Sequence, residues 1–142
     1  MSTISVINSR DCTGCLRNTG FNFMDSFSLR KIIDKHMRYL IGGYIAQGIL
    51  AQDDLKPFQD NNFTMRQFPF LLVNEWQQSP FEKVDGVIGL SRDYVTAEGD
   101  NSGSQFLNTL YDAGIENKIF HINFLPKDSK YSSSIIGFGG YN

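Results

Sequence analysis

Gly42-Gly43-Tyr44-Ile45-Ala46-Gln47-Gly48-Ile49-Leu50-Ala51-Gln52-Asp53 is the stretch whose reading decides the fold. Gly42-Gly43 is a turn pair. Residues 44–50 form a short β-rich run, and a glycine inside it, Gly48, signals a bulge or the close approach of another backbone. Asp53-Asp54 then gives a second turn signal. The same rhythm runs outward through the chain. Turn clusters fall at 8–11, 18–20, 60–62, 99–103 and 127–130, and β-rich runs at 4–7, 63–73, 84–90, 118–125 and 135–138. Many short strands with polar turns predict an all-β sandwich or barrel.

Helix is scarce. Residues 104–113 read as one: Ser104 as N-cap, Phe106, Leu107, Leu110 and Tyr111 as an apolar face, and Gly114 as the terminating glycine. Residues 27–39 are ambiguous. Leu29, Ile32, Ile33 and Met37 fit a short helical face or an irregular strand pair. There is no internal repeat and no sign of a domain boundary.

The chain has 142 residues, 41% apolar and 20% charged, enough for one domain that buries about two thirds of its unfolded surface. Thirteen Lys and Arg against 15 Asp and Glu give a formal charge of −2, which is no basic footprint for nucleic acid. The longest apolar runs, such as 68–73, are too short to span a bilayer. The opening Met1-Ser2-Thr3-Ile4-Ser5-Val6 has neither the basic nor the apolar region of a secretory signal.

Cys12 and Cys15 form a single C-x-x-C. Thr13-Gly14 between them and Asn18-Thr19-Gly20 after them are turn residues, whereas a thioredoxin-like centre opens a helix. A structural zinc site needs four ligands, and His36 and His121 lie far off in unlike contexts. The pair therefore reads as a tight loop closed by a disulfide, which implies an oxidising compartment. Asn62-Phe63-Thr64 is a glycosylation sequon and agrees with that setting. No metal site and no cofactor are expected.

Four segments in order carry a resemblance: Asp11-Cys12-Thr13-Gly14-Cys15 with Asn18-Thr19-Gly20-Phe21; the run 42–53; Val84-Asp85-Gly86-Val87-Ile88-Gly89-Leu90-Ser91; and 106–114 with 120–124, ending in Ile136-Gly137-Phe138-Gly139-Gly140-Tyr141. Together they resemble the N-terminal lobe of a pepsin-like aspartic protease. The resemblance implies a partial lobe over residues 1–142, Greek-key or barrel-like in its strands, with one short helix.

In that family a hairpin flap closes over the bound peptide, with glycines to bend it and an aromatic near its tip. The resemblance places this flap at Tyr39, Ile41, Gly42, Gly43 and Tyr44. Alignment through Gly48-Ile49-Leu50 puts the flap aromatic at Ile41; a two-residue shift puts it at Tyr39, and Tyr44 is a third choice. Asp85, Gly86, Val87, Ile88 and Gly89 would form the crossover beside the catalytic strand. Val87 and Ile88 are expected in the core, or with Phe81 in a substrate pocket. Asp85 is expected to be structural.

The family's chemistry uses two carboxylates that share a proton and hold a water, each on a D-[TS]-G loop. The chain contains no such triplet: Asp11-Cys12-Thr13-Gly14 and Asp100-Asn101-Ser102-Gly103 each carry an extra residue. Ser2-Thr3-Ile4-Ser5-Val6 matches the stretch that follows the first triplet. The resemblance thus implies a catalytic Asp before Met1 and a second lobe after Asn142, so no catalytic residue is expected in the chain. It implies an aspartic endopeptidase parent, a peptide or protein substrate, and a secretory, lysosomal, vacuolar or extracellular location. Two further readings stand beside it: a non-catalytic protease-like module that binds peptide or protein, and a disulfide-clipped extracellular adhesion domain.

Overall fold

The computed structural model describes residues 5–15, 20–41, 43–58, 63–77, 84–90, 106–126 and 134–140. They form an all-β fold with one short α-helix. The strands are β1 (Val6–Thr13), β2 (Arg30–Ile41), β3 (Tyr44–Leu55), β4 (Met65–Gln77), β5 (Gly86–Val87), β6 (Phe120–Asn123) and β7 (Ile135–Phe138), and α1 is Phe106–Asp112. The first five make one sheet in the order β2-β3-β4-β1-β5, and β6 and β7 make a second. The chain leaves β1, crosses to the far edge at β2, then returns through β3 and β4 to lie parallel to β1. The remaining pairings in both sheets are antiparallel.

Most of residues 27–39 resolve as strand: β2 begins at Arg30 and pairs with β3, with register shifts between Lys31 and Ile33 and between Ile33 and His36. Those irregularities are why its apolar residues fit neither period cleanly. Two expected turns are strand instead. Residues 8–11 lie inside β1, and Asp53 lies inside β3. In both places the polar side chains find distant partners, which removes their reason to turn the backbone. Asp53, 6% exposed, accepts from the Ser26 and Ser28 hydroxyls and from the Asp54 amide.

Side chains alternate across the main sheet and build two apolar clusters. One holds Val6, Ile41, Ala46, Leu50, Leu71, Val73 and Trp76. The other holds Ala51, Met65, Phe68, Phe70 and Leu72 with Phe106 and Leu110 of α1. The Phe106 ring meets Phe68 edge-on at 5.8 Å and Phe138 of β7 at 5.5 Å, tying helix and small sheet to the large one. The helix ends as the glycine signal predicts. Gly114 has φ +112°, its N–H donates to the Tyr111 carbonyl, and the Ile115 N–H donates to the Leu110 carbonyl. That is a Schellman cap, with Ile115 and Leu110 in the same apolar cluster. Ser104, the expected N-cap, lies outside the described residues.

Gly48 bears out the reading of close approach. It sits at a register shift between β3 and β4, and a Cβ there would stand 2.1 Å from the Leu72 carbonyl oxygen. At Gly114 a Cβ meets nothing within 4 Å, so only the backbone angle opposes a side chain. Gly114→Ala is expected to cost about 1–2 kcal/mol. Gly48→Ala forces two strands apart and is expected to cost about 3 kcal/mol or more. Urea unfolding of the two variants tests that ranking.

Candidate functional site

The β2–β3 hairpin closes on the pair Ile41 and Tyr44, with Gly43 at φ +91° in the turn. Gly42 lies outside the described residues. Ile41 is 4% exposed and belongs to the first apolar cluster. That makes it a core residue of the hairpin. Tyr39 and Tyr44 are half-buried and pack against the same cluster, and the Tyr39 hydroxyl donates to the Met37 sulfur at 3.7 Å.

The crossover approaches from the other edge of the sheet. Gly86 and Val87 pair with Ile7 and Val6 of β1. Val87 packs against the first apolar cluster, the one that also takes Ile41, Tyr39 and Tyr44. Hairpin tip and crossover therefore rest on one apolar surface, although β4 and β1 separate β3 from β5. Ile88 corrects its expectation: it is 50% exposed. Successive residues of an extended segment point to opposite faces, so Val87 and Ile88 do not share the core. Gly89 is buried, and Asp85 is exposed. Phe81 and the sequon Asn62 lie outside the described residues.

What holds the crossover is polar and long-range. Asn8, 6% exposed, donates its backbone N–H to the Asp85 carbonyl at 2.7 Å and its side-chain amide to the Val84 carbonyl at 3.2 Å. Its side-chain oxygen accepts the Trp76 indole N–H at 2.8 Å. Ser5, also buried, accepts the Gly89 N–H on its hydroxyl at 3.2 Å. Asn8, Trp76 and Ser5, which hold the crossover, were not candidates from sequence. Asn8 stood in an apparent turn cluster, and the single tryptophan lies 68 positions away.

Cys12 and Cys15 form the disulfide, with Cα atoms 5.5 Å apart, and both pack against the first apolar cluster. It braces the end of β1 below the hairpin. His36 and His121 are separate, on β2 and β6. Among the described residues no group of three or more His, Cys, Asp or Glu could hold a metal ion. No helix among them is long and apolar enough to cross a membrane.

Cavities lie away from the hairpin tip. One sits between the end of α1 and the β6–β7 sheet, lined in part by Glu116, Asn117 and His121. Another lies beside Asp25, Asp53 and Asp54. A third, about 230 Å³, lies beside β2 and is lined by Ser9, Phe23, Leu29, Lys31, His36, Ile49, Leu72 and Asn74. No protein-family model matches the chain, and no curated protein matches it.

Two expected outcomes follow from the latch and the disulfide. Trp76→Phe leaves the Asn8 oxygen buried without its donor and is expected to lower stability by about 1–3 kcal/mol. A loss within about 0.5 kcal/mol, the range of an ordinary surface change, would contradict the buried bond. Replacing both cysteines by serine is expected to cost about 2 kcal/mol, because so short a loop restricts the unfolded chain little. Urea titrations of each variant, with the disulfide variant compared with the oxidised parent, give both numbers.

Proposed function

We propose that the chain is part of the N-terminal lobe of a pepsin-like aspartic endopeptidase and supplies the peptide-covering half of its cleft. The observation that carries this reading is the shared apolar surface under the hairpin tip and Val87. A glycine-turned hairpin and a Gly-flanked crossover, far apart in sequence, meet the same cluster. A peptide held there would lie under Tyr39 and Tyr44. With Ile41 committed to the core, one of these two tyrosines is the flap aromatic. The disulfide agrees with an oxidising, secretory or vacuolar setting.

The cleavage itself belongs to the parent protein. Two D-[TS]-G loops would hold the water-activating carboxylates, and this chain contains neither. The same absence favours the second reading, a non-catalytic module that binds peptide without cutting it.

On either reading the purified chain is expected to leave a denatured protein substrate intact at acid pH, with or without a peptidic transition-state analogue. Inhibitor-sensitive hydrolysis would overturn the absence of catalysis. The cleft has its own test. In amide NMR spectra the analogue is expected to shift signals of residues 39–44 and 86–89. Shifts confined to other elements, or none at saturating analogue, would contradict the placement of the peptide.

A further inference from the structure

The described sheet ends at β2, a strand of 12 residues with no further strand beyond it among the described residues. Its outer N–H and C=O groups form a template for another extended chain. Its sequence is net basic: Arg30, Lys31, Lys35 and Arg38 stand against the single acid Asp34, with His36 among them. Ile32, Ile33 and Leu40 are exposed along the same strand, at 45%, 37% and 72%. A second copy of this edge would meet like charge, so the edge selects against self-pairing and for an acidic partner.

A cleft beside the strand adds a second feature. Lys31 and His36 would face opposite ways in a regular strand, being five residues apart. The register shifts between them place both on the wall of the 230 Å³ cleft. Phe23, Leu29, Ile49 and Leu72 line its apolar part. Leu29, Ile49 and Leu72 belong to the cluster with α1, whereas the hairpin tyrosines pack on the other cluster. The cleft is smaller than the roughly 300–1,000 Å³ of small-molecule sites, which suits a single apolar side chain.

We propose that β2 is a docking edge for an acidic, extended peptide segment, which adds as a strand beside residues 30–38 and inserts one apolar side chain into the cleft below Lys31 and His36. The carboxylates of the segment pair with the basic side chains, and backbone hydrogen bonds set its register.

The probe is a labelled peptide of alternating Glu and Val, about eight residues long, the usual length range of a strand. Fluorescence anisotropy with the full chain is expected to show binding that weakens with salt. A Lys-Val peptide is expected not to bind. N-methylation of one set of alternate residues is expected to abolish binding, while methylation of the other set leaves it, because only one edge of the peptide faces β2. Arg30→Glu with Arg38→Glu is expected to weaken binding about tenfold with the melting temperature unchanged. Should that variant fail to fold, amide shifts in the parent chain decide, and they are expected within residues 30–38. No binding, equal binding of both methylated peptides, equal competition by polyphosphate, or shifts confined to other elements would each overturn the proposal.

Discussion

Asn8 is the residue on which the arrangement depends. Each of its four polar atoms is engaged: the backbone N–H with Asp85, the backbone carbonyl with the Phe21 N–H at 2.8 Å, the amide nitrogen with Val84, and the amide oxygen with Trp76. A buried amide is costly when any of these is lost and specific when all are made. Through this one residue the crossover, the incoming segment at Phe21 and the end of β4 are referenced to β1, the crossover and Trp76 by its side chain and Phe21 by its backbone. An apolar residue there would keep the two backbone bonds but lose those to Val84 and Trp76.

That constraint divides the sheet into two faces with different duties. One face gathers the disulfide, the hairpin tip and Val87 on Leu71, Val73 and Trp76. The other is aromatic and structural: Phe21 meets Phe70 at 6.0 Å, Phe68 stacks near Phe70, and Phe106 joins the helix to both sheets. The division explains how a hairpin can carry half-buried tyrosines without destabilising the molecule. Ile41 anchors it in the core, leaving Tyr39 and Tyr44 at the margin, where the proposed peptide would lie.

Sequence reading succeeded where the information is local. A β-rich run marked 135–138 as β7, a terminal glycine marked the end of α1, and an interior glycine marked the close contact of Gly48 with β4. The C-x-x-C spacing with turn residues pointed to the disulfide. It failed where a distant partner reverses a local preference. Asn8 and Asp53 look like turn formers until Trp76 in one case, and Ser26 and Ser28 in the other, take up their polar groups. β2 stayed ambiguous because its register shifts break the alternation that identifies a strand. Within the candidate site, the hairpin and crossover were visible as motifs. Their common apolar surface was not, because it is a property of the sheet order.

The central claim is that a buried Asn8–Trp76 bond locks the crossover to the sheet, and the chain's single tryptophan makes it directly measurable. Hydrogen exchange of the indole N–H can be followed as one resolved NMR signal across a denaturant series. The account predicts exchange only through global unfolding, with the same denaturant dependence as the unfolding free energy. Exchange near the free indole rate, insensitive to denaturant, would mean that the bond is not buried and that the crossover is held by something else.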